Sequence, residues 1–567
     1  MNTTTTVYAA RNILTMNPAR PQATHVAVRD GRILGAGSLE ELRGWGEHVL
    51  DERFADRVLM PGLVEGHSHM GAGTAWLRRY CGYFPASDHE GRLWPGAKSL
   101  DEVIAALTES AAALSAGAEP VCGWGFDPIY FGARRMSAPG RSQALIPERA
   151  RAQGSPVSRH DLDRVSATRP VGLMHASGHI LNASTRALER AGLLRTGIDH
   201  PGIPLGEDGL PTGELRGPEA FGPVLEHVGL SRSVLAGGEA GIRAFAQLCL
   251  RAGVTTATDL GASLTDPEVE MLSRVVGADD YPVRLVPLLQ MRGLTPQAAV
   301  ARAVALRERS SDSLRLGRMK ITADGSIQGF TARLRWPGYY NGAPNGLWYT
   351  APEAIREAYT LALQHGVQVH THTNGDEATG LAIDCMEQAL RVHPARDHRF
   401  MLQHVQLADA AQFRRIRALG MGVNLFANHH YYWGDQHRDI TLGPERAERM
   451  NACSTALREG VPMAIHSDAP ITPLGPLFTA WCAVNRRTAT GRVLGEAERI
   501  SVAEALQAIT LGAAYSLGLD GEIGSIECGK RADFCVLADD PTAVVPETLK
   551  DVRICGTVQG GRVFMIA

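Results

Sequence analysis

Between residues 253 and 470 the chain alternates helical segments with short apolar runs that end in polar residues, and few folds accommodate that rhythm. The runs are GVTTATDL (253–260), VRLVPLL (283–289), RMKITADGS (318–326), GVQVHTHTNGD (366–376), FMLQHVQ (400–406), GVNLFANHH (422–430) and VPMAIHSDAP (461–470). Strands separated by helices favour a parallel sheet, because each crossover helix covers a face of it. Intervening segments such as APEAIREAYTLALQHG carry apolar residues at helical spacing and stop at Gly366. We therefore expect an α/β chain built on a (β/α)8 TIM-like barrel, with its chemistry at the carboxyl ends of the strands.

The two ends of the chain have a different texture. YAARNILTM, HVAVRDGRILGAG and VLDERFADRVLM near the N-terminus, and GSIECGKRADFCVLADD and VRICGTVQGGRVFMI near the C-terminus, are strand-like runs punctuated by Asp-Gly and Gly. Chain ends commonly lie close together, so residues 1–58 and 517–567 are expected to form one small β-sandwich, leaving 59–516 for the barrel. The stretch from about 71 to 250 is too long for a βα connection and predicts an inserted, largely helical lid.

Composition narrows the partners. A net charge of −3 provides neither a basic field for nucleic acid nor an acidic tail, so small molecules are the expected substrates. No stretch approaches the ~18 consecutive apolar residues of a membrane span, and the start lacks a basic segment followed by an apolar one. A cytoplasmic protein without membrane partners is expected. The nine cysteines are scattered without CxxC spacing, which disfavours a disulfide framework or thiolate zinc site. GAGTAW (71–76) lacks the setting of a phosphate loop, and Ser177 in ASGH lacks that of a nucleophile elbow.

The segment LMPGLVEGHSHM places His67 and His69 at the end of an apolar run. Residues i and i+2 of an extended strand share a face, so both imidazoles can reach one ion. Lys320, His372, His404 and Asp468 recur at other strand ends, a donor set suited to zinc or a similar divalent ion.

Several motifs carry a resemblance to the amidohydrolase superfamily across nearly the whole chain. PGLVEGHSHM resembles its first-strand PGxxDxHxH, HTNGD (372–376) an HAxGD element, LQHVQ an EHxQ element, and GSIECGKRADFCVL the terminal GxIxxGxxADxxVL. HSDAP carries the eighth-strand aspartate, and the most similar branch includes N-substituted formamide deformylases. The resemblance implies that His67, His69, His372 and His404 are metal ligands, with Asp468 both ligand and general base. MKITADGS resembles KxxxDGS, in which the lysine, here Lys320, can be carbamylated and bridge two ions; a free lysine in a polar strand end, or one paired with Asp324, is the alternative. Two departures concern Glu65, where aspartate is usual, and Gln403, where glutamate is frequent.

The implied reaction is hydrolysis of a C–N bond in an amide, formamide, carbamate or cyclic amide by metal-activated hydroxide, with one or two ions. The alternatives are an aminohydrolase acting on a heteroaromatic ring, and a non-catalytic scaffold or regulatory homologue, which would be expected to have lost ligands. A homodimer is implied by the resemblance alone. For substrate contact, the aromatic loop ANHHYYWGDQH offers Tyr431, Tyr432 and Trp433, and the insertion offers Trp124, Asp127, His175 and His179. His370 shares a strand face with His372 and is a further candidate.

Overall fold

The computed structural model describes residues 4–114, 119–132, 157–230 and 237–566. Eight parallel strands, Leu63–Glu65, Val254–Ala262, Arg284–Gln290, Met319–Thr322, Val369–Thr373, Met401–His404, Gly422–Leu425 and Met463–Ile465, form one curled, TIM-like sheet in sequence order. Its ends meet just beyond the first and eighth strands, where the Asp468 amide donates to the His67 carbonyl (3.1 Å) and the His69 amide to the Ala469 carbonyl (2.8 Å). Most of these strands are shorter than the apolar runs that predict them, and polar tails such as Asn374–Asp376 lie beyond their ends.

The helix Pro352–Gln364 shows how the sequence builds the outer layer. Proline opens it where its missing N–H is no loss, Ile355, Tyr359, Ala362 and Leu363 are buried, and Gly366 takes φ +60 just after it. At the amino end of the barrel, Val64, Val286, Leu288 and Ala464 pack with Ala513, Ala514 and Leu517 of the helix Leu511–Ser516 and the residue after it.

Both ends of the chain join a seven-stranded sheet, in which Phe534–Leu537 pairs antiparallel with His48–Pro61. The ladder is continuous across all seven strands, and Tyr8, Val26, Phe54, Phe534 and Val558 share one core. The Asp30-Gly31 turn has positive φ at both residues, as the predicted hairpin requires. His48–Pro61 runs past the expected boundary at 58, so Leu59 and Met60 belong to this sheet and only Leu63–Glu65 to the barrel. At the bend between them, a side chain on Gly62 would meet Thr255 Oγ1 at 2.0 Å. A buried ion pair, Arg284–Asp533 at 2.6 Å, ties the barrel to the terminal sheet.

The insertion expected within residues 71–250 carries a sheet beside helices such as Leu100–Ala113 and Thr185–Arg190. Its described part contains a five-stranded mixed sheet of Arg79–Tyr80, Val121–Phe126, Val171–His175, Ile180–Ala183 and Glu214–Arg216. Residues 115–118, 133–156 and 231–236 of that span lie outside the described residues. Hydrogen bonds dock the insertion on the barrel: Tyr130 Oη donates to the Tyr432 carbonyl (2.7 Å), and Trp433 Nε1 to Asp127 Oδ2 (2.8 Å). The segment expected as an aromatic loop is a helix, His429–Gln436. Among the described residues no helix is long and apolar enough to cross a membrane.

Candidate metal centre and substrate cavity

Ser68 turns the first-strand histidines inward. Its backbone N–H and hydroxyl bond Thr258 on the second strand (2.9 and 2.8 Å), so the alternating residues His67 and His69 face the barrel mouth. There, His67 Nε2 and His69 Nε2 lie 3.2 and 3.3 Å from Asp468 Oδ1, and His404 Nδ1 lies 3.8 Å from Asp468 Oδ2. Donor atoms of His67, His69 and Asp468 fall within 4.8 Å of one another, as do those of His67, His404 and His466. His404 and Asp468 hold φ of +70 and +56, left-handed conformations that cost non-glycine residues free energy and concentrate at functional sites.

His466 is a residue sequence reasoning missed. Its ring stacks on His67 (4.6 Å) and on Phe426 (4.7 Å), and both its nitrogens are buried without hydrogen-bond partners. The signal was present: His466-x-Asp468 repeats the spacing of His67-x-His69.

Neighbouring residues orient the imidazoles. His67 Nδ1–H donates to Gln403 Oε1 (2.7 Å), Gln403 Nε2 donates to His370 Nδ1 (2.9 Å), and His370 Nε2–H donates to the Ser516 carbonyl (2.9 Å). This chain leaves the His67 Nε2 lone pair facing Asp468. His372 Nδ1–H donates to Asp324 Oδ1 (3.1 Å), and the same carboxylate accepts backbone N–H groups from Asn374, Gly375 and Arg333. Asp259 Oδ1 approaches His69 Nδ1 at 3.7 Å. Glu65 accepts from the Ser467 hydroxyl (2.7 Å) and so braces the first strand against the eighth.

Electrostatics follow from burial. Burial and the neighbouring Lys320 hold His67 neutral, well below the usual imidazole range. Burial opposes ionisation of Asp468, yet His67, His69 and His404 keep its carboxyl well below the usual carboxylate range. Lys320 is 2% exposed, and burial pushes its ammonium down to about 7 against the pull of Asp468. Its Nζ has no hydrogen-bond partner, while Asp324 is engaged by His372 and the backbone, so the Lys320–Asp324 pairing does not form.

A cavity of about 360 Å³ opens on these groups, and His67, His69, Lys320, His372, His404 and Asp468 all line it. Four of the expected contact residues behave differently from one another. Trp124, His175 and His179 reach this cavity, with the His179 ring 5.6 Å from that of His372. His175 has both nitrogens engaged, Nε2 with Asp127 (3.2 Å) and Nδ1 with the Ser177 amide (3.0 Å). Asp127 itself does not line the cavity, because Trp433 and His175 occupy its carboxylate.

Four further candidates lie outside this cavity. His370 lies below the cavity in the Gln403 chain. Tyr431 packs against Phe84, Phe478 and Trp481 and lines neither this cavity nor its neighbour. Tyr432 and Trp433 line the neighbouring cavity instead of this one.

The donor chemistry fits a divalent ion. Imidazoles with fixed tautomers, an ionised carboxylate and the partnerless buried atoms Lys320 Nζ, His404 Nδ1 and both His466 nitrogens converge where strand ends meet. Residues 55–565 match the model of the amidohydrolase family, and the chain belongs to that family of hydrolases acting on C–N bonds. It is 25% identical over 564 residues to the N-substituted formamide deformylase of Arthrobacter pascens, covering 97% of this chain and 96% of that protein. Protein LONG AFTER FAR-RED 3 of Arabidopsis thaliana is 27% identical over 570 residues, covering 97% and 90%. An uncharacterized metal-dependent hydrolase from Pyrococcus horikoshii OT3 shares the fold, with a TM-score of 0.70 at 18% identity over 96% of this chain and 99% of that one.

Proposed function

We propose that this amidohydrolase is metal-dependent and hydrolyses an amide-type C–N bond, that of an amide, formamide, carbamate or cyclic amide. The grouping of His67 with His69 and Asp468, and of His67 with His404 and His466, at one end of the cavity carries the reading. These residues, with His372, His466 and Lys320 alongside, would hold zinc or a similar divalent ion. When bound, the ion supplies an acidified water and polarises the scissile carbonyl.

The chain's own groups do the rest. Asp468 Oδ2 accepts the proton of the attacking water and returns it to the leaving nitrogen, a role suited to a carboxylate held ionised. Lys320 Nζ, buried and without a hydrogen-bond partner, is the atom that would react with carbon dioxide, forming an N–C bond and losing a proton. The resulting carbamate would let the site hold a second ion. His179, brought in by the insertion, lines the same cavity as Asp468 and would hydrogen-bond the substrate there.

The test is metal analysis and intact mass on the purified protein, followed by amine release from a panel of N-substituted formamides, amides and carbamates. Bound divalent metal and amine release abolished by Asp468→Asn are expected. Metal-loaded protein that releases amine from none of these compounds and opens no cyclic amide would overturn the reading.

A further inference from the structure

Beside the metal cavity lies a second cavity of about 600 Å³, whose walls include Trp76, Tyr80, Tyr83, Phe84, Tyr432 and Phe478. The two share Trp124, Gly125, Ala176, Pro470 and Ile471 as common wall. Trp124 stands at that boundary, 8% exposed, with Trp76 edge-on to it at 4.9 Å and Tyr80 at 5.0 Å. Its indole N–H is buried and has no hydrogen-bond partner. A buried indole normally finds an acceptor, so this donor points to a ligand group as its partner.

Asp88 and Arg251 are the charged residues of that wall, and each has a partner of its own. Asp88 accepts from Trp94 Nε1 (2.9 Å) and from backbone amides, and Arg251 donates to the His89 carbonyl (3.0 Å). The Lys98 ammonium sits 3.9 Å from the centre of the Tyr83 ring, so a cation already occupies that face. A second positive charge is therefore disfavoured, and what remains are aromatic faces suited to a neutral ring.

We propose that this cavity is the second compartment of the substrate site and takes a neutral aryl or arylalkyl substituent on the amide, a reading that rests on the amide hydrolysis proposed above. The scissile group lies at the histidine cluster, the ring lies beyond Trp124, and the Trp124 N–H donates to a polar atom between them.

The test uses metal-stripped, full-length protein, so that turnover plays no part. Calorimetric titration with N-benzylacetamide and N-methylacetamide should show the benzyl compound binding about tenfold or more tighter, and Trp76→Ala should reduce that preference to about threefold or less. Photolysis of the protein with an N-(azidobenzyl)acetamide should label wall residues of this cavity. Equal affinities for the two amides, a preference for tetramethylammonium over N-benzylacetamide, an undiminished preference in folded Trp76→Ala, or label found only elsewhere would each overturn the proposal. Loss of amide hydrolysis in the metal-loaded enzyme with the aryl preference intact would instead strike the reaction and leave the compartment standing.

Discussion

Gln403 is the residue whose replacement best tests how the first imidazole is presented. In Gln403→Leu the His67 Nδ1–H loses its acceptor at 2.7 Å, and His370 Nδ1 loses its donor at 2.9 Å. A buried N–H left unsatisfied costs about 1–3 kcal/mol. His67 escapes that cost by moving its proton to Nε2, where Asp468 Oδ1 waits at 3.2 Å. That tautomer has no lone pair for an ion. Removing an orienting partner of this kind costs about 10–100-fold in metal affinity, equivalent to about 1.4–2.7 kcal/mol. Chelator competition on wild type and Gln403→Leu measures it, with circular dichroism to confirm the fold. Gln403→Glu restores an acceptor and should recover most of the affinity. A Leu variant that binds metal within about twofold of wild type would refute the tautomer argument.

Other consequences are equally concrete. Asp468→Asn should lower turnover by about 10²–10⁴-fold while leaving the circular dichroism unchanged; near-normal turnover would remove Asp468 from proton transfer. His466→Phe preserves the stacking between His67 and Phe426 but removes both nitrogens, so metal bound per chain should fall, and an unchanged metal content would leave His466 a packing residue. Asp533→Ala strands the Arg284 guanidinium, 2% exposed, and should destabilise the protein by about 3–5 kcal/mol in urea unfolding; a loss below about 1 kcal/mol would show that water reaches it. Asp127→Ala removes a docking bond of the insertion, so hydrogen exchange of Val121–Phe126 should quicken while barrel strands keep their protection.

The barrel was legible because a buried strand that must also present ligands writes both facts into its sequence: apolar residues along it and His, Lys or Asp at its end. Seven runs announced seven strands, and the His-x-His segment announced the first. Depth was not legible. His370 and His372 share a strand face, but one layer separates a residue bonded to Gln403 and Ser516 from one that lines the cavity, and period-two alternation cannot tell layers apart. The outer strands of the insertion's sheet escaped notice because Arg79–Tyr80 and Glu214–Arg216 are too short to show a period. The aromatic segment at 429–436 is helical because the tertiary packing of Trp433 and Tyr432 against the insertion outweighs a composition that reads as loop.

The seam where the first strand meets the eighth also has a meaning for synthesis. Glu65 and Ser467, which brace each other across it, are 402 positions apart in the chain. At about 5–20 residues per second a ribosome needs roughly 20–80 s to deliver the second after the first. Throughout that interval the nascent sheet carries an unpaired edge beside His67 and His69, the kind of template on which chains pair wrongly. Assembly of the centre is therefore among the last acts of folding, and truncated products that end before residue 460 should both lack the ion and be the species that aggregate.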